Sequence, residues 1–213
     1  MKPKLLWGIA PLLALSLPLL AQSDNPAVNY RAGKALRKQL FRMQDTVSKL
    51  CRTLLPAEDK DFRSNPHFPK YAQIYVNVKG QATAEQYRKK TALFRKAHEK
   101  AQADYSKVVA DRLDKQYWGV PSRFPVGTVL TKEKFGNPQG KGIPELLTVM
   151  VKHERGYNPA CYDWEFLVID GKGSRILERG KLERCQGCHT RYQRTDGVAT
   201  LSPYSFLNVR GSR

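Results

Sequence analysis

Gly127-Thr128-Val129-Leu130-Thr131-Lys132-Glu133-Lys134 is the stretch on which the fold class turns. Successive residues of an extended chain point to opposite faces. Thr128, Leu130 and Lys132 therefore share one face, and Val129, Thr131 and Glu133 share the other. A Gly/Pro-rich loop follows over 136–144, then two β-branched, apolar runs at 146–152 and 164–170. Gly171-Lys172-Gly173 is a tight turn into a fourth run over 175–180. Short strands joined by turns pair antiparallel, because parallel pairing needs a long crossover.

Upstream, residues 74–78 form another β-branched run, ended by Gly80. Thr83-x-x-Gln86 is a capping box that opens a helix. Its stripe runs Tyr87, Thr91, Phe94, His98, Ala101, Tyr105 and Val108, and Gly119 and Pro121 end it near residue 118. His98 reads as a packed histidine within that stripe. Asn25-Pro26 looks like a helix start. Leu36, Leu40, Met43, Val47, Leu50 and Leu54 then recur at steps of four and three until Pro56, which predicts an amphipathic N-terminal helix. The expected class is α+β: a mostly antiparallel sheet with a long N-terminal helical portion.

The first residues read differently. Lys2 and Lys4 precede an almost wholly apolar run of about 16 residues, Leu5 to Leu20. That is shorter than the roughly 20 residues of a membrane-spanning helix, and polar residues follow it. A secretory signal peptide over residues 1–21 is expected, cut after Ala21; the alternative is an uncleaved anchor. The division is then 1–21 signal peptide, 22–69 N-terminal helix and loop, and 70–213 a domain that includes the helix 83–118. The periplasm or another exported location follows.

The chain carries a net charge of +18, and loss of Lys2 and Lys4 leaves +16. Charge of that sign suggests an anionic partner. Export excludes nucleic acid and favours an acidic protein or a membrane surface; a well-solvated surface is the plain alternative.

Two of the four cysteines stand in Cys185-Gln186-Gly187-Cys188-His189. Cysteines three apart on a helical turn lie on one side, so each thiol can add to one vinyl group of a haem. The adjacent His189 can then supply the proximal iron ligand. This is the pattern of c-type haem attachment, one haem c per chain, near the C-terminus. A zinc site would need two further ligands, and His67, His98 and His153 are scattered. A thioredoxin-like dithiol would need an earlier strand-to-helix setting. Export favours a disulfide between the other two cysteines, Cys51 and Cys161, closing a loop of about 110 residues with roughly 4 to 5 kcal/mol of chain entropy. Two buried free thiols are the alternative.

The sixth position decides what such a haem does. Met43, Met150, His67, His98 and His153 are spread widely, and no Met follows His189. An open iron is expected.

In order, these segments resemble the cytochrome P-460 family, which includes the cytochromes c′-beta. Phe124-Pro125-Val126-Gly127-Thr128-Val129-Leu130-Thr131-Lys132-Glu133 is similar to its F-x-x-G-T-V-x-x-K-E strand. Met150-Val151-Lys152, Gly156-Tyr157-Asn158-Pro159-Ala160 and Asp163-Trp164-Glu165-Phe166 are similar to the next two strands and their turn, and the late Cys-x-x-Cys-His completes the order. The resemblance covers roughly residues 70 to 205. It implies an antiparallel sheet with packed helices, usually in a homodimer. It also implies either oxidation of hydroxylamine with a lysine cross-linked to the porphyrin, or nitric oxide binding at a five-coordinate iron. Lys132 falls on the cross-linking position. Thr148 and Ala72 stand where the hydroxylamine-oxidising members carry a glutamate and an arginine. Glu145 lies nearby but does not align with that glutamate. The resemblance thus implies a small nitrogen-oxide ligand, with Lys132 beside the haem and not cross-linked. An electron carrier serving an acidic redox partner is the competing function. Lys152, His153, Glu154 and Arg155 read as solvated charges.

Overall fold

A computed structural model describes residues 25–43, 70–101, 107–119 and 122–203. Its centre is an antiparallel sheet. The strands are β1 (Lys34–Ala35), β2 (Phe41–Arg42), β3 (Tyr71–Val76), β4 (Val129–Phe135), β5 (Leu146–Lys152), β6 (Trp164–Asp170) and β7 (Ile176–Gly180). The order is β1-β3-β4-β5-β6-β7, with β2 also paired to β3. Three α-helices accompany it among the described residues: α1 (Val78–Lys100), α2 (Lys107–Trp118) and α3 (Glu183–His189). The α+β class and the antiparallel pairing agree with the sequence reading.

The register sorts the strands into two faces. Ile74, Lys132, Thr148, Val168 and Glu178 lie side by side across five strands of one face. Beside them runs a second row of the same face, Val76, Leu130, Met150 and Phe166. Helices α1 and α2 cover this end through Tyr87, Phe94, Leu113 and Trp118, with Phe124 and Trp164 between. The opposite face packs Leu147, Val149, Leu167 and Ile169 against Ala27 and Tyr30.

Helix α1 begins earlier than the capping box suggested. Asn77 is its N-cap, and the Asn77 side chain accepts from Gly80 N at 3.3 Å, satisfying one of the orphan amides of the first turn. Gly80 lies inside the helix. A Cβ there would stand 2.5 Å from Thr128 Cγ2 and 2.6 Å from Val76 Cγ2, so only glycine lets the helix settle this close to the sheet. Tyr87, Thr91 and Phe94 are buried as the stripe predicted. The span read as one helix over 83–118 is two helices, α1 and α2.

The long N-terminal helix is corrected over its described part. Residues 30–43 hold one 3-10 turn at Tyr30–Ala32 and the short strands β1 and β2. Leu36 and Met43 of the predicted stripe are buried, but they flank β3: Leu36 N donates to Ile74 O at 2.8 Å, and Met43 N donates to Lys70 O at 2.7 Å. The segment therefore extends the sheet, and a spacing of seven residues places the two side chains on two strands as readily as on one helix. Val47, Leu50 and Leu54, together with residues 1–24, lie outside the described residues. Among the described residues no helix is long and apolar enough to cross a membrane.

Candidate haem-attachment site

Helix α3 is tied to the sheet at its start. Glu178, the last residue of the Ile74–Lys132–Thr148–Val168 row, accepts from the Arg184 guanidinium. The backbone then winds one turn, with Cys185 N and Gln186 N donating to Leu182 O at 2.9 and 3.0 Å. Cys185 and Cys188 are both only partly buried. Cys185 packs against the core, whose neighbouring cluster includes the fully buried Cys161.

His189 closes the helix with its ring 5.2 Å from that of Phe166. Its Nδ1 stands 2.6 Å from the carbonyl oxygen of Gly197. Donation from Nδ1–H to that carbonyl fixes the tautomer and leaves the Nε2 lone pair available to a metal. Desolvation by burial pushes the imidazole pKa down to about 4; the Gly197 hydrogen bond opposes the shift and the nearby Lys132 ammonium adds to it. The ring is thus a neutral base at physiological pH, the form in which imidazole ligates iron.

Gly197 can face His189 because the chain turns sharply before it. Asp196 and Gly197 both take left-handed conformations, with φ of 52° and 82°, a region glycine enters without steric cost. Asp196 anchors that turn. Its Oδ2 accepts from Lys152 Nζ and from Phe124 N, both at 2.8 Å, and its carbonyl accepts from Trp164 Nε1 at 2.6 Å. The pair is deeply buried, with side-chain exposures of 4% for Lys152 and 2% for Asp196. Burial pushes the Lys152 ammonium pKa down and the Asp196 carboxyl pKa up, against the mutual attraction that keeps them ionised. Lys152 is therefore a structural cation under the Asp196-Gly197 turn, which corrects its reading as a solvated charge. The expectation for His153 is corrected in part: its Nε2 lies 2.9 Å from Glu165 Oε2, and its ring stacks on Tyr157 at 4.1 Å. Asp196 and Gly197 escaped the sequence reading, and Phe166 entered it only as part of a strand, not as a neighbour of His189. The Asp-Gly dipeptide was the one local signal, a turn signature placed seven and eight residues after the histidine.

Lys132 is partly exposed on the same face, opposite Ile74 on one side and Thr148 on the other. Ala72 is fully buried on the adjacent row, paired with Lys134 and Phe41. The structure thus brings Lys132 and Thr148 together and puts Ala72 one row away. Glu145 is committed elsewhere: Lys70 Nζ lies 2.5 Å and Lys134 Nζ 3.8 Å from its carboxylate. Glu133, which follows Lys132, is on the far face, 3% exposed, and held by Arg31 and Tyr30 at 2.5 Å each.

The remaining candidates lie on other elements than α3. Met43 follows β2, and His98 lies on α1 with its ring 6.0 Å from Phe94. Met150 is buried directly opposite Phe166, the residue whose ring neighbours His189. Among the described residues, no group of three or more His, Cys, Asp or Glu stands together as metal ligands, which gives no support to a zinc site. Burial pushes the Cys161 thiol up to about 12, with Cys185 the next contributor. Cys161 is a free thiol here. Cys51 and His67 lie outside the described residues, so the bridge expected between Cys51 and Cys161 is left to thiol counting on denatured protein.

The donor set fits a haem: two accessible thiols on one side of a helical turn, and a neutral imidazole with a committed Nδ1. Comparison with curated proteins gives no match. The profile of the family described as Cytochrome P460 matches residues 84–200, which runs from helix α1 past the Cys-x-x-Cys-His helix to the Asp196-Gly197 turn. The chain therefore belongs to the cytochrome P460 family, and membership implies a haem cofactor.

Proposed function

We propose that the protein is an exported c-type cytochrome holding one haem through thioether bonds from Cys185 and Cys188, with His189 as proximal ligand. The observation that carries this reading is the 2.6 Å contact between His189 Nδ1 and the Gly197 carbonyl oxygen, which leaves a neutral imidazole with one nitrogen free. The haem, held by Cys185, Cys188 and His189, would supply an iron able to take a small nitrogen-oxide ligand, nitric oxide or hydroxylamine.

This chain's own residues favour binding over turnover. Oxidation of hydroxylamine releases protons and needs a base near the substrate. Thr148, beside Lys132, is a poor base, and Glu145 is held by Lys70 and Lys134. The partly exposed Lys132 side chain, beside Thr148, is suited to orienting a polar ligand or a haem edge. A homodimer and a periplasmic location belong to the same proposal. They rest on the resemblance and on the N-terminal segment. The electron-carrier reading keeps one argument of its own, the net charge of +18, which suits an acidic redox partner.

An optical spectrum of the reduced holoprotein, with and without nitric oxide, separates the readings. Nitric oxide binding is expected to change the spectrum strongly. Sharp low-spin bands that ignore nitric oxide would establish the carrier. Peptide mapping then tests Lys132: a tryptic peptide containing it joined to the haem peptide would move the protein to the cross-linked, hydroxylamine-oxidising side.

A further inference from the structure

Tyr162 ends a single 3-10 turn, Pro159–Cys161, just ahead of β6. Its backbone is left-handed, with φ of 57° and ψ of 31°, and Asp163 follows at φ of 62°. Residues with side chains rarely enter that region, and a bulky tyrosine is strained there. The neighbouring chain holds it in place. Asp163, 4% exposed, accepts from Gly156 N at 3.0 Å and from Asn158 N at 3.1 Å, and its own N donates to Asn158 O at 2.8 Å. The Asn158 side chain in turn donates to Trp164 O at 2.8 Å. Strain that the surroundings enforce in this way points to a task.

The strained turn aims Tyr162 at the segment that leaves α3. Its hydroxyl donates to Thr190 O at 2.7 Å, one residue after His189. Burial raises the phenol pKa, so the hydroxyl stays a donor. Its ring lies against Gly197: a Cβ on that glycine would stand 2.8 Å from Tyr162 Cδ2 and 3.4 Å from Trp164 Cδ1. Its carbonyl accepts from Lys152 Nζ, the same ammonium that donates to Asp196. Tyr162 therefore touches the chain where it departs from His189 and again where it returns, at the residue whose carbonyl faces His189 Nδ1 at 2.6 Å.

We infer that Tyr162 is a positioning residue for His189: its ring and hydroxyl brace Gly197 and Thr190 together and so set the hydrogen bond from His189 Nδ1 to the Gly197 carbonyl. The consequence for iron rests on the ligation by His189 proposed above. A hydrogen bond on the far nitrogen of a ligating imidazole raises its basicity, and a more basic ligand favours ferric over ferrous iron. Loss of the brace should therefore raise the reduction potential.

The test uses the full chain with Tyr162→Phe, which keeps the ring and loses the Thr190 bond, or Tyr162→Gly, which loses both and relaxes the left-handed backbone. In the holoprotein, potentiometric titration should show an upward shift in both variants, larger for Tyr162→Gly. A second measurement needs no haem. In protein carrying Cys185→Ala and Cys188→Ala, NMR follows exchange of the His189 Nδ1 proton with solvent. Tyr162→Gly should speed it about tenfold, the scale of one lost hydrogen bond, and Tyr162→Phe by less. Amide exchange in β5 is the control: if it accelerates by the same factor, Tyr162 only packs, and the proposal falls. Unchanged Nδ1 exchange in both variants overturns it, as does a holoprotein potential that neither variant moves. Protein lacking covalent haem would sink the functional reading and leave the exchange measurement to be scored.

Discussion

The two faces of the sheet use the same strands for different ends. On the far face, Leu147, Val149, Leu167 and Ile169 are between 0% and 1% exposed, and its buried acids are satisfied locally. Glu133 takes Tyr30 and Arg31. Burial works to raise the Glu165 carboxyl, but hydrogen bonds from Arg179 and His153 outweigh it and hold it below its ordinary range. The near face carries Lys132 and Thr148 partly exposed beside the histidine helix, and its deeply buried Lys152–Asp196 ion pair sits in the turn that holds His189. In an alternating strand one parity can be fixed by packing while the other is left to chemistry. Perturbing one parity should therefore leave the other's readout intact.

The largest effect tests the near face directly. Cys185→Ala with Cys188→Ala should abolish covalent haem, seen as complete loss of haem staining on a denaturing gel; retained staining would break the assignment. Asp196→Ala strands the buried Lys152 ammonium and should cost about 3–5 kcal/mol in denaturant unfolding. The same substitution should disturb the spectrum of any haem that remains, because Gly197 moves with it. Leu167→Ala on the far face should cost about 2–5 kcal/mol, the range for cavities in tight cores, and leave the haem spectrum unchanged. A spectral shift there as large as for Asp196→Ala would erase the distinction between the faces.

The smallest effect concerns pH. A histidine whose folded pKa is depressed is neutral above that value. The unfolded chain binds the proton more readily between 6.5 and about 4, so the group costs stability progressively as pH falls through that window and nothing above it. In denaturant unfolding of the Cys185→Ala, Cys188→Ala protein, which would hold no covalent haem, stability should fall as pH drops from 6.5 towards about 4. Stability that stays flat across that window would mean that the ring is not desolvated.

Much of the sheet was legible because its signal is local. The runs 146–152 and 164–170 coincide with β5 and β6 to the residue, since β-branched and apolar side chains leave little else for those segments to do. The Cys-x-x-Cys-His motif was equally plain. Partners distant in sequence were not. Leu36 and Met43 obey a helical spacing, yet a sheet edge at β3 with open backbone groups outcompeted it. Lys152 looked like one of four charges in a row, and only Asp196, 44 residues later, made it a buried ion. The Thr83 capping box was a valid local signal overridden by Asn77, where the chain leaves β3 and turns into α1.

The turn at Asp196-Gly197 also bears on the order of folding. It is fastened to Trp164 and Phe124, 32 and 72 residues away, and the following Leu201 carbonyl accepts from Thr91, 110 residues away. Contacts of such span form slowly, because a long loop must close before they reward it. The hairpins from β4 to β7 are local and can assemble first. A newly made chain thus has a period in which the hairpins exist and the Cys185–Cys188 turn is not yet fastened at its far end. If haem is attached as proposed, that interval is when both thiols would be open to it, and closure of the last turn would then lock the histidine in place.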